Sequence, residues 1–343
     1  MATTTETAPT TGAPSTARIW TALVTVYFFW GTTYLAIDRS NQTIPPLVGP
    51  AIRFAIAGLA LMAWSRLRGG WTRPTRAQWR TAFVVGGLLL FGGNASVAVA
   101  EDRGVDTGIV ALIIALVPIW IALIDRIVLR SAPLGWRVVV GLVGGFGGAA
   151  LLLRDQVAGD VTVFGLAVAV GASLSWATGS LYQRSAPIAD APLQASGMQQ
   201  VAGGIVIALA AIPTGQFGEL DVRAVTAESA LALLYLIVFG SLLTLSAYLW
   251  LLRVARTSLV ATYAYVNPVV AVTLGWLVLD ERVAGMTLVA AGVILASVAL
   301  IVSAGSAARR TGGREVDASA PAGSDDAVED RRAKREAEIG FEG

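Results

Sequence analysis

The chain has 343 residues, 55% of them hydrophobic and 14% charged, with a mean hydropathy of +0.68 and a formal net charge of +2. This balance is too apolar for an ordinary soluble domain and reads as a polytopic membrane protein. Cysteine and histidine are absent and the one lysine, Lys334, lies in the C-terminal tail. Disulfides, zinc or haem held by these side chains, imidazole or thiolate chemistry and a glycine-rich phosphate loop ending in Lys are therefore excluded, and no cofactor is expected.

Residues 1–17, rich in Thr, Ala and Pro, and 305–343, rich in Gly, Ser, Arg, Glu and Asp, lack the apolar content to bury a core and are expected to be mobile tails. Between them the pattern predicts ten apolar helices near 19–38, 46–64, 81–100, 105–125, 134–153, 162–183, 193–212, 229–251, 257–279 and 284–304. Each is long enough to cross about 30 Å of hydrocarbon. The first stretch lacks a small-residue cleavage site and is followed by further spans, so it is expected to be retained. With the tails and the even-to-odd loops on one side, that side holds nineteen Lys and Arg; the other holds Arg39, Arg103, Arg154, Arg223 and Arg282. This asymmetry predicts that both termini are cytoplasmic. Trp64, Trp71, Trp79, Trp136 and Trp250 then fall at or near cytoplasmic ends of spans, as interfacial anchors do.

The sequence repeats itself. At a shift of 146, Trp30, Thr32, Leu35, Pro46, Leu47 and Gly58 fall on Trp176, Thr178, Leu181, Pro192, Leu193 and Gly204. At a shift of 150, Thr107, Val110, Ala111, Pro118 and Gly135 fall on Thr257, Val260, Ala261, Pro268 and Gly285. Two copies of a five-span unit, 18–154 and 155–304, follow. Five is odd, so the second copy enters the membrane from the opposite side, which makes them inverted repeats with a site expected at their midplane interface.

The candidate site is built around Tyr263 to Pro268, where two tyrosines, an asparagine and a proline interrupt an apolar run. Tyr263 and Asn267 are four positions apart and share a helix face, Tyr265 lies between them, and Pro268 frees a backbone carbonyl, all of which suits a cavity rather than lipid. Pro118 and Pro268 each lie about 11 residues into their spans, ~16 Å, near the bilayer centre, as hinges or cavity lining. Trp30 and Trp176 are too deep to be belt residues and are read as cavity walls or as helix packing. The same two readings, ligand contact or interhelical hydrogen bonding, stay open for Asn94 and Gln199. The glycines at 141, 144, 145 and 148 let another helix approach, either in this chain or in a second copy, which leaves a homodimer open. Arg53 is the one arginine well inside a span; its fork suits a carboxylate, and Glu101 at the outer end of the third span is the expected partner, as an outer gate, with an anionic substrate group as the alternative. Glu101 is also the residue through which proton coupling would run.

Trp30, Gly31, Thr32, Thr33 and Tyr34, then Arg53 and Phe54, Gly93, Asn94 and Glu101, Ser175, Trp176 and Ala177, and Tyr263 to Val272 with Glu281, taken in this order, resemble the drug/metabolite transporter superfamily and in particular its EamA-domain exporters of bacterial inner membranes. The resemblance covers roughly residues 19–304. It implies an all-α membrane protein of ten helices and efflux of small metabolites or drugs by alternating access, with Tyr34 among the residues of the site. Ser131 stands where the first repeat of such proteins often carries an acid, at the place matching Glu281. The expected partners are a small-molecule substrate and membrane lipid, without nucleic acid. The alternatives are an uptake carrier of the same fold, a membrane-embedded enzyme, which would need carboxylate or histidine clusters this chain lacks, and a receptor-like assembly protein using the Arg-rich tail.

Overall fold

The computed structural model describes residues 15–128, 135–157, 163–255, 257–260, 262–281, 283 and 285–318. Among them every regular element is helical. In chain order the main helices are α1 (Thr16–Asn41), α2 (Val48–Leu67), α3 (Arg76–Asp102), α4 (Thr107–Ile127), α5 (Trp136–Val157), α6 (Val163–Ser185), α7 (Pro192–Ala211), α8 (Ala227–Val254), α9 (Tyr263–Val278) and α10 (Gly285–Ala318). Seven of these are long and apolar enough to cross a membrane; α5, α9 and α10 contribute the shorter apolar stretches Trp136–Leu151, Val266–Val278 and Gly285–Ile301. Among the described residues, those up to Val302 form one compact unit and those from Ser303 belong to a second. Ser131 and the side chain of Tyr265 lie outside the described residues.

The elements start and stop where local chemistry says they should. Ser15 caps α1 by accepting from the Arg18 N–H, and Thr75 with Gln78 forms a reciprocal capping box on α3. The fourth helix is broken at Ala115 and Leu116, and Pro118 opens its second segment, where a missing N–H costs nothing. Its counterpart Pro268 sits inside continuous α9, which begins only after a separate turn at Thr257–Val260. The paired prolines therefore do different local work.

Both α3 and α8 contain a ten-residue π-helical stretch, Gly86–Ala95 and Leu236–Leu245. The starts, 86 and 236, differ by the same 150 residues as Thr107 and Thr257. Wide turns of this length are rare, so their recurrence is a structural trace of the repeat that no side-chain pattern encodes.

Small residues set the closest crossings. A Cβ on Gly58 would lie 2.6 Å from the Val201 nitrogen and 2.8 Å from the Gly197 oxygen, while one on Gly204 would meet the Ala55 nitrogen at 3.0 Å and the Ala51 oxygen at 3.2 Å. Numbering rises along α2 as it falls along α7, so these two helices cross antiparallel, backbone against backbone. Four glycines of α5 are packed against helices of the same chain: Gly141 faces Ile301, Gly144 faces Ser297 and Gly148 faces Ile294, all on α10, and Gly145 faces Ile119 of α4, while Gly147 meets nothing within 4 Å.

Two faces of the bundle are tied by polar contacts. On one, Gln194 and Thr72 exchange hydrogen bonds of 3.0 and 2.7 Å, Arg253 donates to the Ala189 carbonyl at 2.9 Å, and the Arg18 guanidinium lies over the Trp250 ring. On the opposite face Arg39 pairs with Glu228 at 3.2 Å, Asn41 donates to the Ala98 carbonyl at 2.9 Å, and the Glu281 carboxylate accepts from the Thr107 N–H and hydroxyl, both at 2.8 Å, and from the Gly108 N–H at 3.3 Å. Glu281 thus caps α4 from a distant part of the chain and places a negative charge at a helix N-terminus.

Candidate functional site

The π stretch of α3 places Gly92 and Gly93 against α6, and the missing side chains leave room for Trp176: a Cβ on Gly93 would sit 2.6 Å from its ring. Trp30, seated on α1, reaches the same level from the other side. The two rings meet edge to face with centroids 5.3 Å apart. Tyr248 of α8 and Tyr263 of α9 complete the group, at 4.8 and 5.4 Å from Trp30 and 5.7 Å from each other. Tyr248 is fixed by the Trp176 indole N–H at 3.2 Å and by Ser180 at 2.9 Å. Four aromatic rings therefore form a layer across the middle of the bundle.

A cleft lies on each side of this layer. The first is lined by Trp30, Thr33, Tyr34 and Ile37 of α1, Gly93, Asn94 and Val97 of α3, Ile114, Trp176, Tyr263 and Asn267. The second is lined by Pro118, Ile121, Ser180, Leu181, Arg184, Tyr248, Leu252, Val260 and Tyr263. Tyr263 belongs to both. The mixture of apolar walls with a few converging polar groups is that of a small-molecule site.

The polar groups of the first cleft are oriented by their neighbours. Arg53, 2% exposed, donates from Nη1 to the Asn94 carboxamide oxygen at 3.2 Å and from Nε to Ser241 at 2.7 Å. Asn267, with its amide turned to suit the acceptors around it, donates to the backbone carbonyls of Tyr27 (3.1 Å) and Tyr263 (3.3 Å), and so ties α1 to α9.

Of the residues singled out from the sequence, Trp30, Tyr34, Asn94, Trp176, Tyr263 and Asn267 line the first cleft, and Pro118 lines the second. Pro268 lines neither. Gln199 departs from expectation: α7 packs so closely on α3 that the Gln199 carbonyl lies 2.8 Å from where a Cβ of Gly86 would stand, and its side chain borders a separate small recess with Ser196, Trp250 and Arg253. The expected Arg53 to Glu101 pair is also corrected. Both residues are buried, but the Arg53 donors are turned to Ser241 and Asn94, two helical turns short of Glu101, whose carboxylate oxygens have no hydrogen-bond partner among the described residues. Asp38 and Glu281 are acids within electrostatic reach of Glu101.

Tyr248, Ser180 and Ile37 were not singled out by sequence reasoning, and Thr33 was named only among the residues that carry the resemblance. A tyrosine in the apolar run of the eighth span was the one available signal for Tyr248.

Comparison with known proteins fits this architecture. The model of the EamA-like transporter family matches twice, at residues 18–154 and 163–303. The inner membrane transporter YedA of Escherichia coli (strain K12) is 34% identical over 282 residues, covering 82% of this chain and 89% of its own. Protein PecM of Dickeya dadantii (strain 3937) is 28% identical, covering 80% of this chain and 88% of its own. A crystal structure with 21% identity superposes with a TM-score of 0.60 over 87% of this chain and 99% of that one, a likeness of fold alone. With the apolar helices described above, these matches make the chain a multi-pass membrane protein.

Proposed function

Because this chain belongs to the EamA-like transporter family, we propose that it is a secondary carrier of the inner membrane that exports a small organic solute by alternating access. The observation that carries this reading is the pair of clefts on either side of one aromatic layer, with Tyr263 lining both. A solute held in the second cleft needs only a rearrangement of these rings and their helices to be handed to the first.

The proposal includes ten membrane helices in two inverted repeats with both termini cytoplasmic. Three features support it: the arginine asymmetry of the loops, the antiparallel crossing of the equivalent helices α2 and α7 at Gly58 and Gly204, and the π stretches at matching places in α3 and α8. On this topology the first cleft is the outer one and the second faces the cytoplasm.

The absence of native cysteine allows a clean test that does not require the identity of the solute. Single cysteines are placed at Ile37 in the first cleft and Leu181 in the second, in right-side-out and inverted vesicles. Each is expected to react with a membrane-impermeant thiol reagent from one side, Ile37→Cys from outside and Leu181→Cys from inside. Reaction of both positions from the same side, or of either from both sides with equal speed, rejects the two-cleft carrier.

A further inference from the structure

We propose that Arg53 and Asn94 form an anion subsite of the first cleft, which takes the carboxylate of a small solute with an apolar or aromatic body. The inference rests on the carrier reading above and names the chemistry of what is carried. Arg53 is almost completely buried, yet its partners among the described residues are neutral: the Ser241 hydroxyl on Nε, the Asn94 carboxamide oxygen on Nη1, and the face of Phe54, whose centroid lies 4.8 Å from the guanidinium carbon. It takes part in neither ion pair found among the described residues. A guanidinium buried without a counter-ion is costly, and its field is poorly screened in such surroundings.

The geometry directs that field into the cleft. Guanidinium groups only donate hydrogen bonds, so Asn94 must present its carbonyl oxygen to Arg53. Its amide nitrogen is then left for the cleft that Asn94 lines. A solute there meets an N–H donor polarised by a buried cation, a pairing that favours a carboxylate over a neutral acceptor. The other carboxamide of the cleft is oriented the opposite way: Asn267 spends its nitrogen on the carbonyls of Tyr27 and Tyr263 and adds no competing donor. Glu101, two turns beyond Asn94 on α3 and hence ~10 Å away, makes that end unfavourable for a carboxylate. The indole faces of Trp30 and Trp176 are left for the body of the solute.

Gly240 completes the subsite from α8. A Cβ there would lie 2.6 Å from Nη2 of Arg53, so the absence of a side chain in the π stretch is what lets the guanidinium take this position.

Phenylacetate, phenylacetamide and phenethylamine share a ring and differ in the head group. Their binding to the full-length protein in detergent is read from tryptophan fluorescence and thermal shift. Wild type is expected to bind phenylacetate about tenfold more tightly than phenylacetamide, the worth of a hydrogen bond gaining charge, and phenethylamine least. Asn94→Asp places a carboxylate on Arg53 and Asn94→Leu covers it, so each is expected to abolish the preference; two variants keep the test from depending on the folding of one. Equal binding of the acid and the amide by wild type, preference for the amine, no binding of any probe, or a phenylacetate preference that survives in a folded variant each overturns the subsite. Binding is measured without flux or sidedness, so these outcomes leave the carrier itself to be judged by thiol accessibility.

Discussion

Trp176 rests on Gly93: a Cβ at position 93 would stand 2.6 Å from Cε3 of the indole, closer than real Cβ contacts come. The ring that walls both the cleft and the aromatic layer is therefore positioned by the absence of a side chain on α3. Gly93→Ala is expected to push the indole into the cleft and weaken solute binding about tenfold or more, while overpacking lowers stability by about 1–3 kcal/mol. The check is the solute-induced thermal shift of the variant against that of wild type; an undiminished shift contradicts this role for the glycine.

The crossing of α2 and α7 makes a sharper demand, because the groups facing Gly58 are backbone atoms of Gly197 and Val201 and cannot turn aside. Gly58→Leu is expected to separate the helices and cut the yield of folded protein severely. Gly87→Ala, on the π stretch of α3, meets nothing within 4 Å and is expected to be nearly neutral. Size-exclusion profiles of the two variants in detergent decide the matter.

Glu281 caps α4 with three hydrogen bonds. Removing it in Glu281→Ala leaves the Thr107 and Gly108 N–H groups without that acceptor and is expected to cost about 1–3 kcal/mol. Glu281→Gln, which keeps an acceptor oxygen, is expected to recover part of the loss. Thermal melts of the three proteins at one pH test the order wild type, Gln, Ala.

Asp106, the residue before α4, is half-buried close to Glu281. Burial first, and then the Glu281 charge, raise its carboxyl from the ordinary 3.8 to about 6. The folded protein therefore binds this proton more tightly than the unfolded chain. The contribution to stability is complete below the unfolded value and is lost as pH rises through about 6, the window of decline being roughly pH 4–6. With partial solvent screening it is worth about 1 kcal/mol. Asp106→Asn is expected to flatten the melting temperature across that window; an unchanged slope contradicts the assignment.

Hydrophobic length and repeat arithmetic made the helical class, most helix positions and the equivalence of Trp30 and Trp176 in the repeat legible, because all of these depend on order along the chain; that the two rings touch was not legible. Tyr263 and Asn267 were legible because four-residue spacing defines a face. The partner of Arg53 was not. Depth in the bilayer sets the level of a residue but not the direction in which its helix face points, and Glu101 was paired with Arg53 by level alone. Gln199 matches Arg53 in the repeat and two readings were open for it; the approach of α7 to α3 at Gly86 and Gly203 puts it beside a separate recess rather than the first cleft, a direction that the repeat does not encode. The π stretches, which rotate everything after them, were not legible: Gly86–Ala95 and Leu236–Leu245 share a Phe-Gly pair, Phe91-Gly92 and Phe239-Gly240, but nothing in residue type that calls for a wide turn.

The contact of Trp30 with Trp176 has an optical consequence. Two indoles 5.3 Å apart and nearly perpendicular, at 81°, are close enough for their electronic transitions to mix, and the sign and size of the resulting circular dichroism depend on the angle between them. Any rearrangement that parts the rings erases that signal. The chain thus has an intrinsic, label-free reporter at the boundary between its two clefts, and Trp30→Phe supplies the blank spectrum against which it is read.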